Sequence, residues 1–147
     1  MDETSPESKT ILIVDDDETI TTFFEMLLSR EGFKVIPVNS GKSALEKLKA
    51  KIYRKVDLVL LDLMMPAPGG YEVLKELQKP DFQKVPIFIV TARALDQGTV
   101  GMLRLESNVV EFFNKPIDPT DFKKKLHQHL GTLPKPTGKT ADPYDNL

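Results

Sequence analysis

The chain has no cysteine. That absence excludes disulfide bonds and thiolate metal sites, and it fits a reducing compartment. No apolar run approaches the roughly 20 residues needed to span a bilayer. The first residues include Asp2, Glu3 and Glu7, unlike the basic start and apolar centre of a signal peptide. Charge of one sign is not in excess: the formal net charge is -2, which gives no electrostatic reason to expect nucleic-acid binding. No internal repeat is visible. What remains is ordinary for one globular domain, with 147 residues of which 40 % are apolar and 29 % charged, enough chain to bury a core unaided.

The informative feature is where the apolar runs stop. Ile11-Leu12-Ile13-Val14 ends in Asp15-Asp16-Asp17, and Leu58-Val59-Leu60-Leu61 ends in Asp62. Ile87-Phe88-Ile89-Val90 ends in Thr91, and the run from Val109 ends at Asn114, before Lys115-Pro116. Short runs of Val, Ile and Leu bounded by polar residues read as buried strands of a parallel sheet. Strands are expected at 10–14, 34–38, 56–61, 85–90 and 109–114.

Helices are expected between them. One over 18–30 carries Ile20, Phe23, Phe24, Leu27 and Leu28 on one face and ends at Gly32. A second opens at the N-cap Ser40 and buries Ala44, Leu45 and Leu48. A third follows the Pro- and Gly-rich loop at 65–70, with Tyr71, Leu74 and Leu77 facing in. A fourth over 95–106 is weakened by Gly98 and Gly101. A fifth is capped by Asp118, with Pro119 at its first position, and buries Phe122, Leu126 and Leu130. Residues 1–9 read as a flexible lead, 10–131 as the domain and 132–147 as a Pro-rich tail or linker.

Alternating strands and helices imply an α/β fold with helices on both faces of a parallel sheet. The flavodoxin-like doubly wound (βα)5 order 2-1-3-4-5 puts the switch point between strands one and three, the two that end in carboxylates. Asp15, Asp16 and Asp62 would then crowd together, and like charges at close range call for a cation. Mg²⁺ suits such a site, because it takes oxygen ligands from carboxylates, phosphate and water. Lys115 adds a second positive charge and Thr91 a hydroxyl donor. The chemistry indicated is transfer of a phosphoryl group to a carboxylate, with Asp62 as nucleophile.

These residues resemble the response-regulator receiver domains of two-component signalling. The resemblance rests on Ile13-Val14-Asp15-Asp16, Leu60-Leu61-Asp62-Leu63-Met64-Met65-Pro66, Val90-Thr91-Ala92 and Asn114-Lys115-Pro116, in that order, and covers about residues 9–131. It implies that Asp62 accepts a phosphoryl group from a sensor histidine kinase or histidine phosphotransfer protein. It also implies that Asp15, Asp16, Asp62 and the Met64 backbone carbonyl hold Mg²⁺, and that Thr91 and Lys115 contact the phosphoryl group. Thr91 and Phe112 would form a switch acting on the face made by helix four, strand five and helix five. The Lys115-Pro116 bond is expected to be cis, a geometry common only before proline.

The module would be cytoplasmic. It would catalyse only its own phosphorylation and dephosphorylation, and would act on a downstream effector or fused output domain without touching nucleic acid or membrane. The sequence departs from the family at Gly69, where an acid is frequent, at Asn108, where glycine is frequent, and at Phe112, where tyrosine is frequent. Met64 and Arg93 stand where side chains tune the access of water.

Other readings are weaker. Asp17 and Glu18 suit a helix cap. Ser40-Gly41-Lys42-Ser43 ends like a phosphate-binding loop, but Ile36 stands where that pattern needs glycine. Lys123-Lys124-Lys125 reads as a solvated helix face, and His127 and His129 are too differently directed to pair on a metal. Asp15-Asp16-Asp17-Glu18-Thr19 also matches the D-x-D-x-T nucleophile motif of haloacid-dehalogenase-type phosphatases. That alternative, with Asp15 as nucleophile, leaves Asp62 without a role.

Overall fold

A computed structural model describes residues 2–50 and 55–134 of the chain. Five strands form one parallel sheet in the order β2-β1-β3-β4-β5, as the alternating pattern predicts. They are β1 (Thr10–Val14), β2 (Lys34–Val38), β3 (Leu58–Asp62), β4 (Ile87–Thr91) and β5 (Val109–Asn114). The helices are α1 (Glu18–Glu31), α2 (Gly41–Lys49), α3 (Gly70–Glu76), α4 (Gln97–Leu103) and α5 (Pro119–Leu130).

Four of the five helices begin where the sequence offers a capping side chain. Asp17, Ser40, Asp96 and Asp118 accept backbone N–H bonds from the first turns of α1, α2, α4 and α5, satisfying donors the helix leaves free. Helices α1 and α5 stop at Gly32 (φ 101°) and Gly131 (φ 65°), left-handed positions that glycine adopts without strain.

The sheet is buried on both faces. Leu12, Val14, Val59, Leu61, Ile87 and Ile89 pack with residues of α2, α3 and α4. Ile11, Ile13, Leu58, Leu60, Phe88 and Val90 pack with α1 and α5. The second face is rich in phenylalanine: Phe122 lies 5.2 Å from Phe24 and 5.1 Å from Phe113, centroid to centroid. Alternate residues of each strand feed the two layers, because successive side chains point to opposite sides.

Several expectations need correction. β3 and β4 start later than predicted and reach Asp62 and Thr91. Asp57 spends its carboxylate on the Thr10 N–H (2.7 Å), and Pro86, having no N–H, cannot donate to the ladder. Helix α4 spans 97–103 and not 95–106. Asp96 fixes its start, and beyond Leu103 the chain tightens into turns, Leu105 to Met102 and Glu106 to Leu103. Phe23 (37 % exposed) and Tyr71 (51 %) face outward, at the edges of their helices' apolar stripes. In the lead, residues 6–8 form a 3-10 helix with Pro6 buried, and the Thr4 carbonyl accepts the Leu133 N–H at 2.9 Å. Most of the Pro-rich stretch, residues 135–147, lies outside the described residues.

Candidate functional site

Because all five strands are parallel, their carboxyl ends share one edge. β1 delivers Asp15 and Asp16 there, β3 delivers Asp62, β4 delivers Thr91, and β5 leads through Asn114 into Lys115 and a cis bond to Pro116. The cis geometry is the one expected. A second cis bond, Ala67-Pro68, is one the sequence reading did not anticipate.

The structure brings the three acids together. Asp15, Asp16 and Asp62 each offer an oxygen within 4.8 Å of the others. Asp15 (2 % exposed) and Asp62 (5 %) are buried, and Asp16 is exposed. The Lys115 ammonium donates to Asp15 Oδ2 at 2.9 Å and stands 3.6 Å from Asp62 Oδ2. Backbone donors hold the carboxylates in place: the Asp17 N–H reaches Asp15 Oδ1 and the Met64 N–H reaches Asp62 Oδ1, both at 2.9 Å. The Thr91 carbonyl accepts the Lys115 N–H (2.9 Å), tying the start of the Lys115-Pro116 turn to β4. Thr91 is buried, and its Oγ1 accepts the Arg93 N–H at 3.3 Å.

Burial pushes the Asp62 carboxyl above the usual aspartate range. The Met64 N–H and Lys115 pull it back, while Asp15 and Asp16 add to the rise. Burial alone would lower Lys115, but the hydrogen bond and charge of Asp15, together with Asp62, more than reverse this and raise it. One ammonium thus faces three carboxylates, leaving excess negative charge in a pocket of hard oxygen donors. That donor set fits a magnesium ion, which prefers oxygen ligands and commonly keeps several waters. Asp15, Asp16 and Asp62 are the side chains that would hold it.

The loop after Asp62 is tightly confined. A Cβ on Gly69 would lie 2.6 Å from the Met65 carbonyl oxygen, and one on Gly70 2.5 Å from Leu63 Cα. Gly69 therefore marks a close approach in the backbone. The Met64 side chain is exposed at the rim. Phe112, opposite Ile89 in the β4–β5 register, is half-buried toward the α4 side.

Sequence reasoning missed Arg104, whose guanidinium sits 4.8 Å above the Phe112 ring. No local signal marks such a pairing between helix and strand. Asn108 is buried: its amide donates to the Leu77 carbonyl (3.2 Å) and its Oδ1 accepts from Gln78 (2.9 Å), so it locks α3 to the start of β5. His127 and His129 turn to different partners, Glu31 with Thr132 and Glu111 respectively, in keeping with the directions inferred from their spacing.

Residues 11–127 match the family described as the response regulator receiver domain. Among curated relatives, the alkaline phosphatase synthesis transcriptional regulatory protein PhoP of Bacillus subtilis (strain 168) is 34 % identical over 119 residues, covering 81 % of this chain and 47 % of PhoP. The response regulator SaeR of Staphylococcus aureus (strain USA300) is 29 % identical over 125 residues, covering 85 % of this chain and 52 % of SaeR. The chain thus spans about half the length of these relatives.

Solved structures agree on the fold. A CheY-like response regulator receiver domain protein of Methanospirillum hungatei JF-1 superposes with a TM-score of 0.68 at 30 % identity, covering 84 % of this chain and 94 % of that one. The receiver domain of a sensor histidine kinase of Pseudomonas aeruginosa PAO1 was solved with a magnesium ion coordinated in its active site cleft. It gives a TM-score of 0.70 at 26 % identity, covering 84 % and 98 % of the two chains.

Proposed function

Because the chain belongs to the response regulator receiver domain family, we propose that Asp62 is its phosphoacceptor and that Asp15, Asp16, Asp62 and the Met64 carbonyl hold Mg²⁺ during the transfer. One observation carries this reading: three carboxylates and one ammonium, from stretches as much as 100 residues apart, converge on a single edge of the sheet. A buried Asp62 under the combined field of Asp15 and Asp16 is a carboxylate in need of a cation. Bound there, magnesium would supply charge to offset both the carboxylates and the oxygens of an incoming phosphoryl group.

In the proposed reaction an Asp62 oxygen attacks the phosphorus of a phosphohistidine donor. The P–N bond breaks, and the leaving imidazole nitrogen takes up a proton. Lys115 stands within reach of Asp62 to pair with a phosphoryl oxygen, and Thr91 supplies a hydroxyl from the next strand. A sensor histidine kinase or histidine phosphotransfer protein is the donor that membership of this family implies. The aspartyl phosphate would bias an existing equilibrium of the α4–β5–α5 face through Thr91 and Phe112. The module would then pass the signal to an effector or fused output domain. No helix among the described residues is long and apolar enough to cross a membrane.

Acetyl phosphate with Mg²⁺ tests the assignment. The labelled adduct is expected in the native chain and in Asp15→Asn, more slowly in the latter, and is expected to vanish in Asp62→Asn. The reverse pattern would support the phosphatase alternative with Asp15 as nucleophile. That alternative gives Asp62 no role, although Asp62 sits in the same carboxylate cluster.

A further inference from the structure

The loop that follows Asp62 is pressed from outside by the first residue of α2. A Cβ on Gly41 would overlap the Pro68 carbonyl oxygen, lie 2.8 Å from the Pro68 carbonyl carbon and sit 3.4 Å from the Gly69 nitrogen. Real Cβ atoms essentially never approach within 3.0 Å of such neighbours. Space, and not backbone conformation, therefore demands glycine here: the positive-φ glycines among the described residues are Gly32 and Gly131. Glycine also weakens a helix relative to alanine, so its presence at the start of α2 has a local cost with no local return.

The contact continues to the reacting carboxylate. Pro68 leads directly into Gly69 and Gly70, and a Cβ on Gly70 would overlap the Asp62 carbonyl oxygen and come within 2.5 Å of Leu63 Cα. Gly41, the Pro68 peptide, Gly70 and the Asp62–Leu63 peptide thus stack backbone on backbone, with no flexible side chain to absorb a displacement. Behind Gly41, Ala44 and Leu48 anchor α2 fully in the core. Met64, Pro66 and Ala67 of the loop are exposed. If the two are forced apart, the loop is the part that gives.

We propose that Gly41 is a positioning residue for the phosphoacceptor site. By letting α2 abut the Pro68 peptide, it fixes the 63–69 loop. The loop in turn holds the Met64 N–H on Asp62 Oδ1 and sets where the Met64 carbonyl stands. This inference rests on the reading of Asp62 and its neighbours as a magnesium-dependent phosphoacceptor site.

Titration calorimetry with MgCl₂ on the whole chain tests it, alongside thermal melts in chelator. Gly41→Ala is expected to weaken Mg²⁺ binding by roughly 10- to 100-fold, the usual effect of disturbing groups that orient metal ligands. Ala44→Gly weakens the same helix from its core-facing side. It is expected to lower the melting temperature and bind Mg²⁺ like the native chain. Pro68→Gly, which leaves α2 intact and loosens the loop, is expected to show the same kind of binding loss, and it serves where Gly41→Ala does not fold. Native-like Mg²⁺ binding in a folded Gly41→Ala, or in Pro68→Gly, overturns the inference. So does an equal binding loss in Ala44→Gly, which would make the role merely structural. Failure of the native chain to bind Mg²⁺ sinks the reading of the site itself, and the inference with it.

Discussion

Asp62 lives in a compromise. It is buried beside two acids, and its carboxyl is pushed above the ordinary aspartate range by that burial first and by Asp15 and Asp16 after it. An unfolded aspartate titrates near ~3.9. Because the folded value lies higher, the protonated carboxyl contributes stability that is fully present below the unfolded pKa and is lost as pH rises through the folded one. At neutral pH without metal, the fold therefore carries an ionised Asp62 at a cost. Asp62→Asn removes that charge and keeps the shape, so in chelator its melting temperature is expected to exceed that of the native chain at pH 7. The gap should close as pH falls below the aspartate range, and Mg²⁺ should narrow it at pH 7 by stabilising only the native chain. Thermal melts across pH, with and without Mg²⁺, decide the matter. A variant no more stable than the native chain at pH 7 in chelator would show that Lys115 alone balances the site.

At the scale of elements, most of the framework was legible because four of the five strand-forming runs stop at a residue of distinct chemistry. Val14 gives way to Asp15 and Val90 to Thr91, and five parallel strands then put those ends on one edge. The gathering of Asp15, Asp16, Asp62 and Lys115 was legible for the same reason, even though Lys115 and Asp15 are far apart in the chain. What was not legible depends on tertiary contact. Periodicity marks a helical stripe but does not say that Phe23 and Tyr71 fall on its solvent side. Nothing around Asn108 announces its bonds to Leu77 and Gln78, and nothing around Gly41 announces how closely it abuts the Pro68 peptide.

Helix α4 is short and of weak intrinsic helix propensity. It has seven residues, two of them glycine, and a Cβ on Gly101 would meet nothing within 4 Å. Gly101→Ala is therefore expected to stabilise the chain by up to about 1 kcal/mol. It should also slow amide exchange around residues 100–105 and blunt the exchange changes across residues 95–130 that beryllofluoride, a phosphoryl analogue, is expected to cause. Unchanged exchange in the variant would mean that α4 is already held rigid by its packing through Leu103.

Over the whole molecule, the two edges of the sheet are built for opposite ends. The carboxyl edge gathers charge that repels itself. The opposite edge is closed: His127 bridges Thr132 and Glu31 at 2.7 and 2.9 Å and lies 5.3 Å from the Phe33 ring. There the lead does more than precede β1. The Lys9 carbonyl accepts the Lys34 N–H (3.0 Å), and the Thr4 carbonyl accepts the Leu133 N–H (2.9 Å), so the lead joins the start of β2 to the exit of α5. Deleting residues 2–8 removes the Thr4 bond and the buried Pro6 while sparing every strand. The loss expected is about 1–3 kcal/mol, the range for exposing a few well-made hydrogen bonds, read as a lower urea midpoint. Because none of these groups touches the acidic cluster, Mg²⁺ affinity and labelling by acetyl phosphate should stay at native levels. An unchanged midpoint would return the lead to the status of a passive extension. A loss of Mg²⁺ affinity at unchanged stability would instead mean that the two edges communicate through α1 or α5, the helices that span the distance between them.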